Sequence, residues 1–307
     1  MTKSFKYLII FLFTLWLAQA ALLHATPHQP NAGMILISSE IKPFIEMVKG
    51  LEAGLSMPLC RVFMDKTGAL YSPDPVFKQL KNDYFAFAVA VGPEALSWFS
   101  ANEWHAPLFY GMVLRGHDID AMKKKQCGVS LNLFSTRQLR DIQQILPSTR
   151  RLGLFLNPGQ NKIGQELLQS VTDIPEIELI PIDITRESEI KTKLNQKLDS
   201  VDAIYFIPDA TISSPVLIQY IIKQALSRGV PTIGYNTFFH KSGSVLSFTI
   251  SYYQVGTQVA QIIKDFFSNG RCQSQKPNYT ILMNQRVLNL LQLDIGKSLP
   301  NNLEQQP

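Results

Sequence analysis

Val201-Asp202-Ala203-Ile204-Tyr205-Phe206-Ile207-Pro208-Asp209 is the stretch on which the fold turns. Residues 203–207 are an unbroken apolar run, the pattern of a strand buried on both faces. The run ends in a proline and a carboxylate, with Thr211 close behind. A buried carboxylate needs partners. Asp209 therefore either shapes the turn into the next helix or faces something that is not part of the chain. As a cap for the helix expected over 214–228 it comes too early, and Ser213 is better placed. At the mouth of a buried strand it can accept a charge-assisted hydrogen bond from a ligand ammonium or hydroxyl.

The same unit recurs in both directions. Upstream, strands are expected at 34–37, 59–64, 85–91 and 108–113, with helices at 43–55, 75–83 and 94–102 between them. The pattern then restarts. A helix over 131–146 ends at Pro147, and a strand over 151–156 ends in Asn157-Pro158-Gly159. Helices at 161–171, 187–198 and 214–228 alternate with strands at 178–181, 203–207 and 232–235. A long helix over 252–268, a strand at 281–283 and a short helix at 285–291 follow. Continuous strands separated by amphipathic helices indicate an α/β protein with parallel sheets covered on both faces.

A chain of 307 residues exceeds the ~250 at which single cores stop growing. Two lobes are expected: 31–126 with 251–275, and 127–250 with 276–298, leaving 299–307 as a disordered tail. No low-complexity linker separates them, so several crossing strands are expected rather than a flexible tether.

Lys3 and Lys6 precede an apolar run, and Ala18-Gln19-Ala20 follows it, which predicts a secretory signal over residues 1–20 and a periplasmic location. Its removal leaves 27 basic against 24 acidic side chains, too mild a balance to indicate nucleic acid. The cysteines, Cys60, Cys127 and Cys272, form no CxxC pair, and no metal site is expected. Cys127 and Cys272 both fall at presumed lobe crossings, where a disulfide is geometrically feasible. No HExxH, GxSxG, GxGxxG or GxxxxGK[ST] is present, so neither enzyme nor cofactor is indicated. Asp118 and Asp120 form a DxD in a polar loop, where carboxylates are ordinarily solvated.

Ligands of open parallel sheets sit beyond the carboxyl ends of the strands. Those ends carry Ser38-Ser39, Gly92-Pro93, Asn157 with Asn161, Asp209 with Thr211, and Tyr235-Asn236. Each taken alone reads equally as a helix cap or turn. Together on one edge they predict a ligand cleft, with helix N-termini suited to an anion. Tyr235 and Tyr253 are expected either as flat walls for a ring-bearing solute or as core aromatics.

Several segments carry a family resemblance. Gly128-Val129-Ser130, then 138–147, then Arg150-Arg151-Leu152-Gly153-Leu154-Phe155-Leu156-Asn157-Pro158 resembles a run in ABC transporter substrate-binding proteins. The group meant has a type I periplasmic-binding-protein fold and includes aromatic amino-acid binders. The 201–209 strand, Ser251-Tyr252-Tyr253-Gln254-Val255-Gly256 and 283–293 are similar to its later motifs. The resemblance covers roughly residues 85–295. It implies a two-lobed binding protein that captures a small polar solute, such as an amino acid, between its lobes. It further implies delivery to the membrane permease of an ABC transporter (or report to a sensor kinase), as a monomer. It places Gly92, Asn157, Asp209 and Asn236 on the cleft wall. Gly92-Pro93 stands where the family commonly has Gly-Thr, which removes a hydroxyl and a backbone donor. Asn161-Lys162 and Ser251 also depart from the family pattern, so its ligand does not carry over.

Overall fold

In the computed structural model the described residues are 32–71, 85–114, 126–171, 174 and 176–306. The signal segment, the helix expected at 75–83 and the Asp118/Asp120 pair lie outside them.

Two sheets organise the chain. The first contains β1 (Ala32–Ile37), β2 (Leu59–Met64), β3 (Leu70–Tyr71), β4 (Phe85–Val91), β5 (Leu108–Val113) and β6 (Gln126–Ser130), in the order β3-β2-β1-β4-β5-β6. All its pairings are parallel except β2 with β3. The second contains β7 (Arg151–Leu156), β8 (Glu178–Asp183), β9 (Ala203–Tyr205), β10 (Thr232–Gly234), β11 (Leu246–Thr249), β12 (Thr280–Asn284) and β13 (Leu303–Gln306). Its order is β13-β12-β11-β10-β9-β7-β8, with only β11–β12 antiparallel. Parallel neighbours require crossovers, supplied here by helices over both faces. That is why the strands read as continuous apolar runs.

On the first sheet, α1 (Lys42–Gly54) follows β1 and α2 (Pro93–Ala101) follows β4. On the second, α3 (Thr136–Ile145), α4 (Lys162–Ser170), α5 (Ile190–Lys197), α6 (Pro215–Ser227) and α7 (Thr237–Lys241) cover the faces. The long α8 (Tyr252–Asn269) leaves the second sheet and packs against α1, and α9 (Gln285–Leu290) closes the second lobe. The α1–α8 contact is close because both helices present small residues. A Cβ on Gly50 would overlap the Tyr253 carbonyl, and one on Gly256 would overlap the Met47 carbonyl.

The chain crosses between the sheets three times, after β6, between β11 and α8, and between α8 and β12. Two boundaries differ from expectation. Residues 126–130 complete the first sheet, so the first crossing begins after Ser130 rather than after Gln126. The helix expected from 131 starts at Thr136, because short polar side chains bond the local backbone instead. Ser130 Oγ accepts the Asn132 amide at 3.1 Å, and Asn132 Oδ1 accepts the Phe134 amide at 3.2 Å.

The tail expected to be disordered is also corrected. Leu303–Gln306 forms β13 along β12, because β12 would otherwise be an unpaired edge. Cys127 and Cys272 form a disulfide, with Cα atoms 5.5 Å apart; Cys60 is buried and lies outside it. It joins β6 to the third crossing, where the Gln275 amide also donates to the Gly128 carbonyl at 2.8 Å.

Candidate functional site

On the first lobe, the turn after β1 and the turn after β4 satisfy each other. The Ser38 amide donates to the Val91 carbonyl at 2.9 Å, and Ser38 Oγ accepts the Ala95 amide at 2.8 Å, capping α2. The Gly92 amide donates to the Gly111 carbonyl at 3.0 Å. Gly92 has φ +98°, and a Cβ there would sit 2.6 Å from Ser38 Oγ, so only glycine fits. Pro93 begins the helix, where its missing N–H costs nothing. Ser39 accepts the Ile41 amide on its carbonyl at 2.9 Å.

On the second lobe, Asp209 is the hub. Its Oδ2 accepts the Asn157 amide at 2.8 Å and Asn161 Nδ2 at 2.6 Å, while Oδ1 accepts the Thr211 amide at 2.8 Å. The carboxylate caps the single helical turn Ala210–Ile212 and ties the loop after β7 to the loop after β9. Asn161 in turn caps α4, accepting the Gly164 amide at 2.9 Å. Asn157 Nδ2 reaches Thr211 Oγ1 at 3.4 Å. Three of the roughly four lone-pair sites of the carboxylate are thus used within the chain. That answers why a buried strand should end in an aspartate.

A cavity of 260 Å³ lies where the lobes meet. Leu114 and Tyr252 come from the first lobe, Leu131, Leu133, Phe134 and Ile250 from the crossings, and Pro208 and Tyr235 from the second lobe. Asn236, Thr237 and Thr249 supply its polar edge. Tyr235 is half-buried against Phe134, with ring centroids 5.9 Å apart, and against Phe239, at 4.6 Å. Burial, with the Asp209 charge added, raises the Tyr235 pKa, so its hydroxyl keeps its proton. A neighbouring cavity of 190 Å³ shares Leu114 and Pro208 and reaches Asn161, Lys162 and Asp209.

On another side of the crossings, Lys276 Nζ donates to the Phe134 carbonyl at 2.6 Å, fastening the third crossing to the first. Burial lowers the Lys276 pKa, against the opposing effect of the Glu166 charge. Among the described residues no cluster of three or more His, Cys, Asp or Glu side chains is arranged to hold a metal ion.

Of the residues singled out in the sequence, Tyr235 and Asn236 line the larger cavity, and Asn161 and Asp209 the smaller. Asn157 and Thr211 stand behind Asp209 as its donors. Ser38, Ser39, Gly92 and Pro93 line neither. Tyr252 takes the place offered to Tyr253, one residue and about 100° around the helix. Leu114 and Ile250 were not signalled, because an apolar residue just past a strand end looks the same whether it faces a core or a cleft.

The sequence profile of ABC transporter substrate binding proteins matches residues 117–295, more than half of the chain. No curated protein matches the chain in sequence. Among solved structures, an open, ligand-free substrate-binding protein with adhesive properties from Clostridium difficile is similar, with a TM-score of 0.65 and 14% identity over 90% of this chain and 98% of that one. A conserved domain protein from Vibrio cholerae gives 0.56 and 17%, covering 90% of this chain and 99% of that one. An ABC domain from Streptococcus pneumonia, in complex with L-Trp, gives 0.55 and 15%, covering 89% and 99%. At these identities the likeness establishes the fold, the two-lobed one of periplasmic binding proteins.

Proposed function

Because the chain belongs to the ABC transporter substrate binding protein family, we propose that it is an exported solute-binding protein. It captures a small solute between its lobes and, as a monomer, presents it to the membrane permease of an ABC transporter. The observation that carries this reading is the 260 Å³ cavity whose walls come from both lobes and two of the crossings. A solute there touches surfaces that move relative to one another when the crossings bend, so binding favours the closed form. The residues that support the cavity are themselves fixed by backbone and side-chain hydrogen bonds, which suits a rigid-body closure of pre-formed walls. The polar turns at the strand ends shape the loops rather than perform chemistry.

A thermal-shift screen tests the proposal, with amino acids, peptides, sugars, nucleosides and neutral aromatic compounds as probes. A solute that binds only the folded chain must raise its melting temperature. At least one class is expected to do so, and failure of every class would contradict the solute-binding reading.

A further inference from the structure

We infer that Lys276 is a latch across the hinge: it holds the two lobes at a set angle from outside the cleft, with no solute needed. Each crossing changes lobe abruptly. In the first crossing the Leu131 amide still bonds to the Val113 carbonyl of β5 at 2.8 Å, while Leu133 and Phe134 are already buried in the second-lobe core. In the second, Thr249 ends β11 and Ser251 caps α8; Ile250 lies between them and packs against both cores. In the third, Gln258 of α8 clamps the Lys276 carbonyl at 3.3 Å and the Asn278 amide at 2.9 Å. The next residue, Tyr279, is held by the second lobe. Its hydroxyl donates to Asp141 of α3 at 2.6 Å, and its carbonyl accepts Asn302 Nδ2 at 3.0 Å. The lobes therefore pivot at Asn132, at Ile250 and at the Asn278–Tyr279 link. Thr249 pairs with Thr280 in the antiparallel β11–β12 register, which sets Ile250 opposite Tyr279 and those two pivots side by side.

Lys276 stands on the first-lobe side of its pivot. Cys272 is bonded to Cys127 of β6, Ser274 Oγ accepts the Tyr110 hydroxyl at 3.0 Å, and the Gln275 carbonyl accepts the Ser130 amide at 3.1 Å. Yet the Lys276 ammonium donates to the Phe134 carbonyl, beyond the first pivot, where the Phe134 ring packs against Tyr205 and Tyr235. The Glu166 charge, on α4 of the second lobe, also acts on it. The bond thus spans the hinge, and rotation of the lobes must stretch or turn it. Losing a charge-assisted hydrogen bond of this kind shifts a two-state balance by about tenfold or more. Along the first crossing, Leu131 and Leu133 line the cleft cavity, whereas Ser130 and Asn132 line the cavity that Lys276 lines. Phe134 borders both sides. Lys276 is therefore a positioning residue, fixing a cleft wall from behind.

Pulsed electron paramagnetic resonance tests the latch in the full chain without solute. Nitroxides are placed at Lys49→Cys on α1 and Lys223→Cys on α6, both exposed, in a Cys60→Ala background. Lys276→Met is expected to broaden the distance distribution and move its mean by roughly 2 Å or more, the scale on which packed elements shift. Lys276→Arg, which keeps a donor, is expected to leave the distribution as in the parent. Gln258→Leu frees the segment that carries Lys276 and is expected to act as Lys276→Met does, so it also serves if that variant does not fold. An unchanged distribution in either folded variant would overturn the inference. So would equal broadening in Lys276→Arg, which would place the effect in packing rather than in the donated bond. Because no solute is added, either outcome leaves the solute-binding reading to its own thermal-shift test.

Discussion

The Asn161 side-chain amide donates to Asp209 Oδ2 at 2.6 Å, joining the loop after β7 to the loop after β9 at the wall of the cleft. The same oxygen takes the Asn157 backbone amide at 2.8 Å. The aspartate is therefore part of the scaffold that positions the second-lobe wall. Replacing Asp209 by Asn places either an amide nitrogen or a weaker, neutral acceptor where two donors converge. Asp209→Asn is expected to destabilise the fold by about 2–3 kcal/mol, measured by urea unfolding. Unchanged stability would mean that the carboxylate is not fixing these loops.

Gly50 and Gly256 test the contact between α1 and α8. Helix propensity alone predicts that Gly50→Ala stabilises by up to ~1 kcal/mol. The overlap with the Tyr253 carbonyl predicts the opposite, a loss of about 1–3 kcal/mol as the helices are forced apart. The sign of the change in unfolding free energy distinguishes the two.

The Cys127–Cys272 disulfide closes a sequence separation of 145 residues and joins β6 to the third crossing. Replacing both cysteines by serine is expected to cost about 2–5 kcal/mol of stability. In the unreduced, unfolded wild type, alkylation is expected to label one thiol, Cys60. Labelling of all three would show that the bond does not form.

Much of the fold was legible in the sequence because doubly covered strands are apolar throughout. The strands at 59–64, 85–91, 108–113 and 151–156 have the expected limits. What was not legible depended on local competition for hydrogen bonds. Leu131 to Phe134 carries helix-compatible apolar residues, yet Ser130 and Asn132 hold its backbone in a crossing. β11 was missed because Ser247 and Thr249 interrupt its apolar pattern, although its first three residues are buried. At the cleft, Tyr235 and Asn236 could be named from the strand end they follow. Tyr252 and Tyr253 could not be separated without the rotation of α8, which the packing against Gly50 sets.

Asp202 provides a pH test. Burial raises its pKa, but the Arg151 side chain and the Arg150 and Arg151 amides outweigh burial and hold it below its ordinary value. A carboxyl with a depressed folded pKa adds stability that is complete above its unfolded value of ~3.9 and is lost as pH falls through the lower folded value. Asp202→Asn is therefore expected to cost about 1–2 kcal/mol at neutral pH, kept modest by partial exposure. The difference from wild type should shrink as the pH falls below ~4. A difference that is flat across that range would contradict the ion pair with Arg151, whose Nη2 lies 2.7 Å from Asp202 Oδ1.

A solute held between the lobes must touch both of them. The most direct measurement is calorimetry of the tightest solute from the screen against wild type, Tyr252→Ala and Tyr235→Ala, with each variant's fold checked by circular dichroism. Tyr252 lies on the first-lobe wall and Tyr235 on the second. Capture between the lobes predicts that each substitution weakens binding by about tenfold or more. Full affinity in either folded variant would place the solute elsewhere on the molecule and contradict it.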